Sequence, residues 1–114
     1  MAERISNYRE FWPFYVGEHL HPATRWMHFA GTNGVVALLV LAVVSQDARL
    51  LAALPVCGYG FAWVSHFFIE KNRPATFTYP AWSLAADFHM CAFMWAGKMQ
   101  AEVEKARAAK SAAR

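Results

Sequence analysis

The residues best equipped for chemistry in this chain are its histidines, His19, His21, His28, His66 and His89. Neutral imidazole is a common metal ligand, and several imidazoles with a carboxylate and no thiolate suit iron(II), zinc or manganese. His66 and Glu70 are four residues apart. On a helix both would project from one face, about 6 Å apart along the axis, within reach of a single ion. His19 and His28 flank a turn that the His21-Pro22 pair enforces, because a residue before proline avoids helical geometry while proline suits a first helical position. They can face each other across it, which makes His19, His28, His66 and Glu70 the candidate metal ligands. Spacing alone does not choose the metal, although a histidine-rich site with open positions suits non-haem iron that must bind both oxygen and a substrate. Taken singly, each histidine is more often a hydrogen-bonded core residue. His21 has the weakest claim, since it sits in the turn and points away when His19 points inward.

Asp87 and His89 are two residues apart, so a helix sends them to different faces. A carboxylate in an apolar helix needs a partner. Arg25, Arg73 or a metal-bound imidazole would serve, the last making Asp87 a carboxylate that orients a ligand. Cys57 and Cys91 lack CxxC spacing and read as small core residues. Trp12, Trp63, Trp82 and Trp95 read as packing residues or interface anchors.

The elements that must position these residues are helices in an apolar setting. Of 114 residues, 57% are hydrophobic and 17% charged, against about 25% charged in ordinary soluble domains. Ser6 can cap a first amphipathic helix on which Tyr8, Phe11, Trp12 and Tyr15 share a face. A second helix is expected over 22–45, a third over 50–69 and a last one opened by Pro80 and apolar over 82–97, with short connections at 45–49 and a polar loop over 70–79. Each apolar stretch approaches the ~20 residues that a bilayer requires. The fold class expected is therefore all-α, a compact bundle of about four helices, integral to a membrane, forming one domain over 1–114 with a charged helical extension at about 98–114. A soluble bundle fits less well, because three such segments leave too little polar face to cover them. The net charge of +3 is spread along the chain rather than gathered into a stripe, which argues against nucleic acid as a partner. Lys and Arg are nearly balanced between the two sides of a three-span arrangement, so they do not orient it. The N-terminus lacks the features of a cleaved signal peptide.

Two segments carry a family resemblance over nearly the whole chain: FWPFYVGEHLHPATRWMHFAGT, residues 11–32, and GYGFAWVSHFFIEKNRPATFTYPAWSLAADFHM, residues 58–90. The chain resembles a family of small membrane proteins, formerly a domain of unknown function, that includes the yeast iron(II)-dependent 2-hydroxy fatty acid dioxygenase. The resemblance implies that His19, His28 and His66 hold the metal, with Glu70 at a recurring acidic position; His21 and His89 fall outside the pattern. It implies an enzyme that uses Fe(II) and dioxygen, without 2-oxoglutarate, to shorten a 2-hydroxy fatty acid by one carbon, a fatty acid α-oxidation step. Such a substrate could chelate iron through its hydroxyl and carboxylate, with Arg25, Lys71 or Arg73 steering the carboxylate. A multi-pass protein of the bacterial inner membrane or the endoplasmic reticulum is implied, depending on the source. The longer eukaryotic members carry extra hydrophobic sequence between the two blocks. The alternative reading is a haem- or metal-binding helical membrane protein without enzymatic activity.

Overall fold

Asn7, one residue after the expected Ser6, caps the first helix: its side chain accepts the Glu10 N–H at 2.9 Å, the reach that a capping oxygen needs. A computed structural model of the protein describes residues 4–112, which are helical apart from short connections. Helix α1 runs over Tyr8–Gly17 and α2 over Pro22–Ser45. Pro22 starts α2 without a missing backbone bond, and the His21 ring accepts the Ala23 N–H at 3.1 Å. Gln46 ends α2 in the left-handed conformation, and Asp47 accepts from the Arg49 N–H to open a 3₁₀ turn, Ala48–Ala52. Helix α3, Ala53–Val64, continues from that turn and widens into a π turn, Ser65–Glu70. Pro55 sits in the first turn of α3, where its missing N–H costs little. A second 3₁₀ turn, Ala75–Phe77, precedes α4, Pro80–Ala96, and α5, Met99–Ala112. Gly97 separates the last two helices at a φ of 73°, a conformation that L side chains avoid.

One helical domain is expected over 1–114; the contacts of the chain group into two compact units. The first takes the chain as far as Leu20 together with everything from Ala75 onward, and so contains α1, α4 and α5. Its core is aromatic and sulfur-rich: Phe11, Tyr15, Val16, Met90 and Val103 are essentially inaccessible. The expected stripe on α1 supplies much of this core, Phe11 sitting within 6.0 Å of the Tyr15, Tyr79 and Trp82 rings. Cross-links from α5 reach α1, where Trp12 Nε1–H donates to Glu102 at 2.8 Å and Lys110 to the Gly17 carbonyl at 2.7 Å.

The second unit, His21–Pro74, is the hairpin of α2 with the Ala48–Glu70 rod. Its helices approach closely because small residues line the seam. An added Cβ at Gly34 would stand 2.6 Å from Cys57 Sγ, and one at Gly31 would stand 3.0 Å from Phe61 Cβ. Close backbone approach through small residues is how helices associate where no water drives them together. Cys57 adds a thiol donation to the Gly31 carbonyl at 3.6 Å.

Among the described residues, two helices are long and apolar enough to cross a membrane, Pro22–Ser45 and Ala48–Glu70. Only 22% and 17% of the residues in their apolar windows are buried, the reverse of what a core helix of a soluble protein would show. Val40, Val43, Val44, Val56 and Phe68 all face outward. The expected third span is not among them. Helix α4 has 17 residues, about 26 Å, short of the ~30 Å hydrocarbon core, and it carries Asp87 and His89.

Candidate metal centre

The buried stripe of α2 is Thr24, Arg25, His28, Gly31 and Thr32, a helical repeat that turns one face of an otherwise exposed helix inward. His28 and Arg25 are three apart and share that face. From the other arm of the hairpin, the π turn delivers His66. The two imidazoles meet edge to face with ring centroids 5.1 Å apart, and a ring nitrogen of each lies within 4.8 Å of the other. Both rings are withdrawn from solvent, at 5% and 2% exposure.

His66 is gripped at two points by the turn that follows it. The backbone N–H groups of Lys71 and Asn72 both donate to its carbonyl, which Lys71 permits by adopting a left-handed φ of 60°. The Asn72 side-chain oxygen receives the ring Nδ1–H at 2.6 Å. With Nδ1 protonated, a neutral imidazole presents Nε2 as its lone pair, which is how metal-ligating histidines are commonly held. A π turn is rare and often marks a functional position. Here it places the His66 ring and the Glu70 carboxylate in one widened turn.

His19 belongs to the first unit and is held by the same logic. It is fully buried, its Nδ1–H donates to the Tyr15 carbonyl at 2.6 Å, and its ring stacks on the Tyr15 phenol at 4.1 Å. A carbonyl oxygen only accepts, so the proton sits on Nδ1 and Nε2 is left as the donor atom. Asp87 accepts from the Tyr15 hydroxyl at 2.5 Å, which makes it a brace on the residue that holds His19. Burial, reinforced by the Asp87 charge, pushes the Tyr15 phenol well above its ordinary value of 10.0, so it stays a neutral donor.

Glu70 Oε1 accepts the His21 backbone N–H at 2.8 Å, tying the end of the π turn to the start of α2. Lys71 and Arg73 are exposed, whereas Arg25 is buried. His21 is the cap of α2, and His89 belongs to a separate aromatic cluster of the first unit. There Trp12 stacks on it at 3.6 Å and the Tyr8 hydroxyl hydrogen-bonds with its Nδ1 at 2.8 Å. Burial lowers the His89 pKa, favouring the neutral ring. Asp87 and His89 thus serve different partners, as their two-residue spacing requires.

Sequence reading alone passes over Asn72 and Tyr15. Neither carries a metal-ligand signature, and their roles arise from one side-chain oxygen six residues after a histidine and one backbone carbonyl four residues before another. Among the described residues, the second unit brings the His28 and His66 donors together, and the first unit holds His19 as a buried imidazole in the same tautomer as His66. Neutral imidazoles without thiolates, as at His28 and His66, fit a borderline divalent metal, and the oxygen partner on His66 fits the same conclusion.

No match is found among curated proteins or solved structures. The chain does match, over residues 5–99, the family described as Mpo1-like, 2-hydroxy-palmitic acid dioxygenase Mpo1-like. That span covers α1 to α4 and every histidine considered above, and the chain belongs to this family.

Proposed function

We propose that this chain is a membrane-embedded, iron(II)-dependent dioxygenase that shortens 2-hydroxy fatty acids by one carbon, with His19, His28 and His66 as the metal ligands. The observation that carries the reading is the buried pair His28 and His66, edge to face at 5.1 Å, with the His66 Nδ1–H fixed on Asn72. The family description supports the substrate class. The two long apolar helices with little burial support a multi-pass membrane location. His19, which the family resemblance implies as the third ligand, has its Nδ1–H fixed on a carbonyl in the same manner as His66 on Asn72.

Bound iron(II) supplies the redox chemistry with dioxygen. The remaining work belongs to the chain. Buried imidazoles keep water from the ion, and the Nδ1–H bonds of His19 and His66 hold those two rings in the ligating tautomer. Arg25, buried on the His28 face, pairs with the substrate carboxylate, and burial strengthens that pairing relative to the exposed Lys71 and Arg73. Glu70 holds the start of α2 against the π turn and so keeps His28 level with His66. In balanced form, dioxygen accepts the electrons released as the hydroxyl-bearing carbon becomes the new carboxyl and the old carboxyl leaves as carbon dioxide, with water as the other product.

Elemental analysis of anaerobically purified protein tests this, wild type beside His66→Ala, followed by assay of 2-hydroxy acids with oxygen. Near-stoichiometric iron that is lost in the variant, and a product one carbon shorter, are expected. Wild-type protein that takes up no metal under anaerobic reconstitution would overturn the reading, and a Soret band would redirect it to haem.

A further inference from the structure

In a helix, a serine or threonine hydroxyl has a ready partner in the carbonyl three or four residues before it. The hairpin uses this bond twice: Ser45 donates to the Leu41 carbonyl at 2.6 Å, and Ser65 to the Ala62 carbonyl at 2.7 Å. Thr24, in the first turn of α2, does not. It is fully buried, at 0% exposure, and among the described residues its Oγ1 has no hydrogen-bond partner. A buried hydroxyl left unpaired destabilises the fold that holds it, and in native proteins such a group calls for a role.

The position of Thr24 connects it with the candidate centre. It stands four residues before His28, and Arg25 three before, on the buried face of α2. Side chains at these spacings are neighbours, with Cβ atoms about 5–6 Å apart, and a long side chain on a helix leans back over the turn that precedes it. The Thr24 hydroxyl is therefore within a small ligand's span of the imidazole that meets His66 at 5.1 Å. Thr24, Arg25, His28 and His66 are all buried and all belong to the second unit.

We propose that the Thr24 hydroxyl is completed by the 2-hydroxyl of the substrate and so selects 2-hydroxy acids over unsubstituted acids of the same length, an assignment that rests on the functional reading above. A guanidinium only donates, which suits Arg25 to a carboxylate, whereas an alcohol calls for a partner that both donates and accepts, as a threonine hydroxyl does. In a 2-hydroxy acid the alcohol is on the carbon next to the carboxylate, so the groups that receive the two must themselves be close. Thr24 and Arg25 are consecutive and both border His28. An acid without the hydroxyl leaves Thr24 buried and unpaired, which is how a polar site rejects an analogue that lacks one polar group.

The test uses the full-length, iron-loaded protein in lipid nanodiscs without oxygen, so that binding is read apart from turnover. Dissociation constants are measured for a 2-hydroxy fatty acid and for the unsubstituted acid of the same length, and the denaturant midpoint is measured with neither present. Thr24→Val removes the hydroxyl and keeps the shape. It should cut the preference for the 2-hydroxy acid by about tenfold, leave binding of the unsubstituted acid unchanged, and hold or raise the midpoint, since no bond within the protein is lost. Thr24→Ser retains a hydroxyl and should keep most of the preference, and Ser45→Ala, at the exposed end of α2, should keep all of it. A wild-type preference in Thr24→Val would overturn the proposal, as expected of a hydroxyl that only holds a water. A lowered midpoint or failure of that variant to fold would also overturn it, by giving the hydroxyl a structural partner. A preference lost equally in Thr24→Ser would assign the effect to the methyl group and overturn it as well. Wild-type protein that holds no iron, or binds the two acids equally, would instead overturn the functional reading and the proposal with it.

Discussion

At the scale of single residues, the candidate centre depends on hydrogen bonds that fix ring tautomers. Asn72→Ala removes the acceptor on His66 Nδ1 and should weaken iron(II) binding by about 10- to 100-fold. Asn72→Asp keeps an acceptor there and should retain most of the affinity, both measured by competition with a chelating indicator. Glu70→Gln separates a ligand from a brace. An amide oxygen can still accept the His21 N–H, so metal content should persist in Glu70→Gln and disappear in His66→Ala. Tyr15 carries a pH signature. Its pKa is raised in the fold by burial and by Asp87, so between the ordinary value and the raised one the folded state holds more protons than the unfolded state. Its contribution is fully present below pH 10.0 and declines as pH rises above it. The denaturant midpoint of wild type should fall through that range more steeply than that of Tyr15→Phe. Below it, the variant should be less stable by about 1.5–3 kcal/mol for the lost bond to a charged acceptor.

At the scale of elements, the hairpin is set by glycines on its seam and the histidine geometry by one irregular turn. A side chain at Gly34 meets Cys57 Sγ at a distance that real contacts do not reach. Gly34→Leu must displace the Cys57 thiol or separate α2 from α3, and should cost about 1–3 kcal/mol in denaturant unfolding in detergent. Gly60→Ala, where the added carbon meets nothing, should instead stabilise by about 0.5–1 kcal/mol. The boundaries of α2 were legible because proline and the preceding histidine punctuate its start. The 3₁₀ start and π end of the other arm were not. Both are hydrogen-bond irregularities within a continuously apolar run, and the composition of that run is the same for every helix type.

At the scale of the whole molecule, the apolar surface is unevenly distributed. The first unit buries its aromatic stripe between α1, α4 and α5, while the hairpin of the second leaves valine and phenylalanine outward along most of its length. Such a surface is unstable in water and at home in hydrocarbon. The protein should remain in the membrane pellet after an alkaline carbonate wash and be released by detergent. Replacing the exposed Val40 and Val43 by lysine should shift it toward the wash fraction. The last apolar segment reads as a third span in composition, which counts apolar residues without regard to where they pack, whereas α4 is not among the two helices long and apolar enough to cross a membrane. Helix α4 uses Ser83, Ala86, Met90 and Cys91 to face other protein, a choice visible only once its neighbours are in place.

The helical class, the start of α2 and the two long apolar helices were all determined by local order along the chain: proline positions, periodicity and residue type. These are properties of short windows, and the chemistry of an imidazole is the same wherever it sits. Tertiary structure decided what windows cannot hold. It brought His28 and His66 together from residues far apart in the chain, and gave Asn72 to His66 and Asp87 to Tyr15. Each of these depends on which atoms meet after packing, and close-packed interiors settle that jointly rather than residue by residue.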